Sequence, residues 1–153
     1  MITDVLLTVS GANNPGTAIS GQAITTATAV STDKIDLGTA RDIGEGENLY
    51  MVFTVIQAFN TLTSLDMRVV TDNDDALGSP TVIGSVNATL ANLTAGKQYV
   101  VRLPPQIASL GERYLGAQYV VNGTNPTQGS ILAQIVLDIQ DGKKFYASGF
   151  SVQ

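Results

Sequence analysis

The sequence predicts one all-β domain, a sandwich or barrel of about eight antiparallel strands. Hydrophobic residues make up 44% of the 153-residue chain and charged residues only 14%, and Thr, Val, Gly and Asn are frequent, which is typical of strands and turns. Apolar and polar residues alternate in several segments, as in half-buried strands. No segment combines a helical apolar period with helix-capping residues.

The predicted strands follow one another at close to the 8–12-residue spacing of all-β sandwiches and barrels. The first covers residues 5–9 and is followed by a loop or flexible arm rich in Gly, Asn and Ser up to residue 22. Residues 48–59 are nearly all apolar, so this strand is expected at the buried centre of a sheet. The other strands are predicted over residues 24–30, 64–72, 81–90, 98–103, 113–121 and 129–139.

These patterns divide the chain into three parts. Residues 1–22 form an N-terminal strand and flexible arm, residues 23–140 the β domain, and residues 141–153 a C-terminal tail. The arm has no hydrophobic period, so we expect it to be poorly ordered or only locally paired until it binds a partner. The first residues lack the basic region and the long apolar run of a signal peptide or a membrane span, so no membrane partner is expected.

The composition excludes several classes of chemistry. The chain has no Cys, His or Trp, so it lacks thiolate nucleophiles, cysteine metal sites and the commonest general base. The net charge of −5 argues against nucleic acid as a partner, because a phosphate backbone requires clustered Lys and Arg. We therefore expect no cofactor, no metal and no catalytic residue.

A glycine-rich charged loop precedes the central strand. A dinucleotide-binding loop needs a strand before its glycines and a helix after them, whereas here a strand follows and no helix is near. The Gly-Lys-Ser/Thr of a phosphate-binding loop is also missing. The acids lack the rigid frame of a calcium site, which favours a solvated loop at the rim of the domain. The loop contains Asp36, Gly38, Arg41, Asp42, Gly44, Glu45, Gly46 and Glu47.

Two further charged clusters are candidate sites. Asp72, Asp74 and Asp75 resemble the start of a calcium loop, but the bidentate Glu twelve positions on is missing, which favours a polar hairpin loop. Glu112, Arg113 and Tyr114 begin a predicted strand and combine residues that are enriched at interfaces. Arg113 either forms an ion pair across an interface or belongs to an exposed pair of little energy.

Residues 26–55, "TATAVSTDKIDLGTARDIGEGENLYMVFTV", resemble the jelly-roll cement, or decoration, proteins of tailed-bacteriophage heads, of the kind found in a Bordetella podophage. "DLGTARDIGEG" is the specific part. Further similarity follows in order through "TD" and "SP" (71–80), "RLPP" (102–105), "ERYL" (112–115) and "VLD" (136–138). The polar insert at residues 13–22 departs from the family pattern.

The resemblance implies a single jelly-roll domain that is not an enzyme. It implies a homo-oligomer, made in the host bacterial cytoplasm, that binds the major capsid protein on the outer surface of the phage head and bridges neighbouring subunits. The glycine loop would then be structural or part of an interface. The interface candidates are Asp36, Arg41, Asp42, Glu45, Glu112, Arg113 and Tyr114.

Two alternatives of other classes stay open. A carbohydrate-binding or host-adhesion β-sandwich would bind glycans on its own, whereas a cement protein would bind expanded heads. A small all-β hydrolase using a carboxylate pair would turn over glycosidase substrates and lose that activity when Asp42 or Glu45 is changed.

Overall fold

The computed structural model describes residues 4–39, 47–105, 111–137 and 139, and within these ranges the regular elements are ten strands and two short 3-10 helices, with no α-helix. The strands are β1 (Thr8–Ser10), β2 (Gln22–Ala23), β3 (Thr28–Val30), β4 (Ile35–Asp36), β5 (Tyr50–Gln57), β6 (Leu62–Asp72), β7 (Thr81–Thr89), β8 (Gln98–Arg102), β9 (Tyr114–Gly123) and β10 (Ser130–Val136). The 3-10 helices are η1 (Val5–Leu7) and η2 (Leu90–Asn92). The predicted all-β class is confirmed.

The strands form two antiparallel five-stranded sheets. The first has the order β1-β10-β5-β8, and β2 also pairs with β10; the second has the order β3-β9-β6-β7, and β4 also pairs with β9. Because β1 and β2 share one partner, and β3 and β4 share another, each pair acts as one interrupted strand. The eight resulting strands are ordered first-eighth-third-sixth and second-seventh-fourth-fifth, which is the order of a jelly roll.

The core lies between the two sheets. In β6 the alternating side chains Leu65, Met67 and Val69 are fully buried, as the alternation in the sequence predicts. Phe53 of β5 meets Tyr119 of β9 edge to face, with ring centroids 6.0 Å apart, so one aromatic pair joins the two sheets. The predicted central strand is confirmed, because β5 lies between β10 and β8.

The N-terminal strand belongs to the sandwich, which corrects its assignment to an arm. The sequence predicted a strand over residues 5–9 within an arm ending at residue 22; instead residues 5–7 form η1, and β1 pairs with β10 with Thr8 opposite Gln134. Val9 and Ser10 are fully buried. Residues between β1 and β2 form a loop closed by an Ala12–Ser20 bridge. The predicted tail, residues 141–153, lies outside the described residues.

The connections differ between the two ends of the sandwich. One end, the short-turn end, carries the connections at residues 24–27, 58–61, 90–97 and 124–129; the other, the long-loop end, carries those at 37–49, 73–80 and 103–113, together with η1 and the residues after β10. At the short-turn end Asn60 Nδ2 donates to Thr127 Oγ1 (2.8 Å) and Asn60 Oδ1 accepts from the Thr127 backbone N–H (2.9 Å). Loops that carry function lie on a scaffold of this kind, so the long-loop end is where a site is expected.

Candidate interface site

The long-loop end brings together two interface candidates that are 77 positions apart in the chain. β4 pairs with the start of β9, which places Asp36 opposite Tyr114 and beside Arg113. Arg113 Nε and Nη2 donate to Asp36 Oδ1 and Oδ2, each at 2.6 Å, in the bidentate geometry that suits guanidinium and carboxylate. The hydrogen bonds from Arg113 to Asp36 raise the pKa of Arg113, so the guanidinium stays charged. The partner of Arg113 is therefore a residue of the same chain.

The Arg113 guanidinium also covers the Tyr114 ring, with Cζ 5.1 Å from the ring centroid, which is cation–π geometry. Both members of the Asp36–Arg113 pair are nearly half exposed, so water screens their attraction and the pair adds little to the stability of the fold. A planar, preorganised cation lying on an aromatic ring at the surface is the kind of group that anchors interfaces.

Glu112, the third residue of this cluster, faces the protein. Its carboxylate accepts hydrogen bonds from the hydroxyls of Thr81 (2.7 Å) and Thr71, which pair with each other across β6 and β7. Glu112 thus fastens the segment before β9 to the ends of two strands. Glu112 therefore helps to position the segment that carries Arg113 and Tyr114.

The remaining charged candidates in the glycine loop are placed only in part. Asp36 Oδ1 also accepts from the backbone N–H of Gly38 (2.7 Å), which has a positive φ of 77°. Arg41, Asp42 and Glu45 lie outside the described residues.

The second acidic cluster uses its carboxylates to shape its own loop. Asp72 Oδ1 and Oδ2 accept the backbone N–H groups of Asp74 and Ser79, both at 3.0 Å. The hydrogen bond from Asp74, followed by that from Ser79, lowers the pKa of Asp72 against the opposing effect of burial. The loop folds back so that Leu77, in the left-handed region at φ 52°, is buried against Gly116. Within the described ranges no group of three or more acidic side chains is arranged to hold a metal ion.

Charge is distributed unevenly between the ends. The described ranges contain nine acidic and five basic side chains. Eight of the acids lie at or beside the long-loop end, together with three of the bases. The acids are Asp4, Asp33, Asp36, Glu47, Asp72, Asp74, Asp75 and Glu112, and the bases are Lys34, Arg102 and Arg113. The described part of the long-loop end is therefore acidic, a property that the linear sequence did not show.

Sequence reasoning also missed a polar network on the outer face of the second sheet. Arg68 Nη2 donates to Asp66 Oδ2 (3.2 Å), and Asn87 Nδ2 donates to Asp66 Oδ1 and to Ser64 Oγ. The hydrogen bond from Asn87 is the main cause of a lowered pKa at Asp66. The alternating polar residues of β6 indicate a polar outer face. They do not indicate the network itself, because further members of it come from β7 and β9. These groups satisfy one another, and the network carries no aromatic side chain.

The fold and the acidic, ion-paired end define an all-β jelly-roll protein without a recognisable catalytic constellation in its described part. The sequence model of the family described as Bbp16 matches residues 19–135. The chain therefore belongs to the Bbp16 family, whose name suggests a Bordetella phage protein.

Other comparisons add little. No curated protein matches the chain. Among solved structures, a point mutant of xylanase 10C from Cellvibrio japonicus in complex with xylopentaose is similar at 15% identity and a TM-score of 0.45, over 86% of this chain and 28% of that chain. This chain thus spans under a third of the xylanase chain, and so weak a similarity carries no argument about function. No helix in the described ranges is long and apolar enough to cross a bilayer.

Proposed function

We propose that the protein is a structural cement protein on the outer surface of a phage head, where it binds the major capsid protein and stabilises the shell. The observation that carries this proposal is membership of the Bbp16 family over residues 19–135. The phage origin that the family name suggests supports an association with the virion.

The architecture supports a role in binding rather than catalysis. The core is filled with apolar side chains, and the charged candidates at the long-loop end form ion pairs and loop hydrogen bonds within the chain. A head presents many equivalent copies of each binding point, so modest contacts at each copy become strong when the bound protein is itself an oligomer. We therefore propose a homo-oligomer that bridges neighbouring capsid subunits.

The interface candidates have different parts in this proposal. The Arg113–Tyr114 stack and its partner Asp36 are exposed and preorganised, so they are suited to contact a partner. Glu112 holds strands together and serves the fold.

The glycan-binding alternative has less support from the described surface. Sugar rings are commonly held by exposed aromatic faces, but in the described ranges Phe53, Phe59 and Tyr119 are buried, and the other aromatic residues are half-buried. One of these, Tyr114, is already covered by Arg113.

The test is to mix the purified protein with expanded heads that lack it and to separate bound from free protein on a density gradient. A cement protein co-sediments with heads at a saturating, fixed stoichiometry and raises the temperature at which they release DNA. Binding to glycans on an array without any binding to heads would replace this proposal with the adhesion alternative.

A further inference from the structure

An exposed apolar corner lies where the chain enters and leaves the first sheet. Because β1 is antiparallel to β10, the residues before β1 and after β10 emerge together at the long-loop end, and η1 lies against β10. Seven large hydrophobic side chains are exposed in the described ranges, and four of them lie in the two segments that adjoin this corner, before β1 and after β10. They are Val5 (39% exposed), Leu6 (82%), Leu137 (58%) and Ile139 (37%). Clustered exposure of this kind marks an interaction surface.

A depression of about 330 Å³ opens beside this corner. Val5 and Leu6 line it with large apolar side chains. Residues 11–14, Asp33 and Lys34 also line the depression. The Asp33 carboxylate accepts only a long hydrogen bond of 3.5 Å from the Thr32 hydroxyl, and it has no ion-pair partner in the described part of the chain. The neighbouring Lys34 is directed to Asp75 instead, with Nζ 3.6 Å from Oδ2.

The chemistry of the depression matches a long basic side chain. Arg and Lys combine an apolar stem, which packs on hydrophobic surface, with a cationic head that seeks a carboxylate. The acidic excess among the described residues of the long-loop end adds attraction for a basic partner surface and repels an acidic one. A second copy of this chain presents the same acidic end, so charge disfavours it as the occupant.

We propose that this corner docks a basic, partly apolar segment of the partner protein, with an Arg or Lys side chain entering the depression between Leu6 and Asp33. The inference rests on the proposed function for the identity of that partner, which is the capsid shell, and it names the contact surface that the proposed function leaves open. Asp33 binds the cationic head, and Val5 and Leu6 cover its stem.

The first experiment measures the affinity of the full-length protein for expanded heads. Leu6→Ser and Asp33→Asn should each weaken binding about tenfold or more, as expected for a buried anchor and its charge partner. Two matched controls should bind like the unmodified protein. Val100→Ser makes the same change from an apolar to a polar side chain on an exposed residue of β8, and Gln57→Lys adds the same single positive charge at the short-turn end. Circular dichroism melts confirm that all four variants fold.

The second experiment needs no head. Acetyl-arginine amide is titrated at millimolar concentration into isotopically labelled protein, with acetyl-glutamine amide as the neutral control, and backbone amide shifts are followed by NMR. We expect saturable shifts at residues 6–14 and at Asp33 with the arginine probe alone, and their loss in Asp33→Asn.

The two experiments separate the two proposals. If the unmodified protein does not bind heads, the proposed function fails and the arginine titration alone decides the inference. If the protein binds heads and both variants bind as tightly as the controls, the corner is not the docking surface. Shifts spread over the whole chain, or equal shifts with both probes, would overturn the assignment of the depression to a basic side chain.

Discussion

The hydroxyl of Tyr119 and the Oγ of Ser10 form a buried hydrogen bond that tests whether the first strand belongs to the core. Tyr119 donates to Ser10 at 2.7 Å, the two residues are 109 positions apart, and both are fully buried. Burial raises the pKa of Tyr119, and the bond to Ser10 opposes this only in part. The hydroxyl therefore stays protonated and able to donate at neutral pH.

Ser10→Ala leaves the Tyr119 hydroxyl buried without an acceptor in the described structure. An unsatisfied buried polar group costs about 1–3 kcal/mol, whereas replacing both partners by apolar groups is far less costly. We expect Ser10→Ala and Tyr119→Phe each to lower the free energy of unfolding by about 1–3 kcal/mol, and the double variant to lose clearly less than the sum. A loss of 2 kcal/mol corresponds to a fall in Tm of about 4–8 °C for a chain of this size.

The measurement is urea unfolding followed by circular dichroism for the four members of this cycle. Ser85→Ala serves as the control, since Ser85 lies on β7 and makes no side-chain hydrogen bond in the described structure; it should change stability by less than about 0.5 kcal/mol. Additive losses in the double variant, or a Ser10→Ala protein as stable as the control, would refute the placement of β1 in the sandwich. Residues 1–22 would then again be interpreted as an arm.

Four further predictions concern the whole molecule. Deleting residues 1–22 should unfold or strongly destabilise the domain, because it removes β1 and exposes the edge of β10; a truncated protein with the melting curve of the full chain would contradict this. Asp72 has a folded-state pKa below its ordinary value of 3.8, so its stabilising contribution is complete above that pH and is lost as the pH falls through the folded-state pKa. Asp72→Asn should therefore flatten the acid side of a curve of stability against pH. An unchanged slope would argue against the loop hydrogen bonds. Chelator should leave the Tm unchanged, since the described acids bond to the protein's own groups; a large fall on chelation would reveal a metal site. Sedimentation equilibrium should show a closed oligomer, and a strict monomer at high concentration would remove that part of the proposal.

The sequence predicts well those features that depend on local alternation. Leu65, Met67 and Val69 alternate with polar neighbours, and they are buried as expected, because successive side chains on a strand point to opposite faces. The strand around Phe53 is apolar on both faces, so it was expected between two other strands at the centre of a sheet, where it lies. The alternation over residues 82–90 would also place Val82 on the same face of β7 as Val86, and this is wrong. A bulge shifts the register between Val69 and Val70, and Val82 is 45% exposed.

Features that depend on pairing between distant strands could not be predicted. Nothing near Asp36 in the sequence indicates Arg113, because their contact requires β4 to pair with the start of β9. The same holds for the acidic end, whose described carboxylates come from the residues before β1, the segment between β3 and β4, the ends of β4 and β6, and three long loops. The short apolar run before β1 gave no sign of the exposed corner, because Leu6 is exposed only through the 3-10 turn that precedes β1.

The most direct test of the central claim is a cryo-electron microscopy map of heads saturated with this protein. We expect jelly-roll density on the outer surface of the shell, in contact with at least two capsid subunits, with the long-loop end directed at them and the short-turn end directed outward. A map with no added density on the shell, or with the protein at the tail or inside the head, would contradict it.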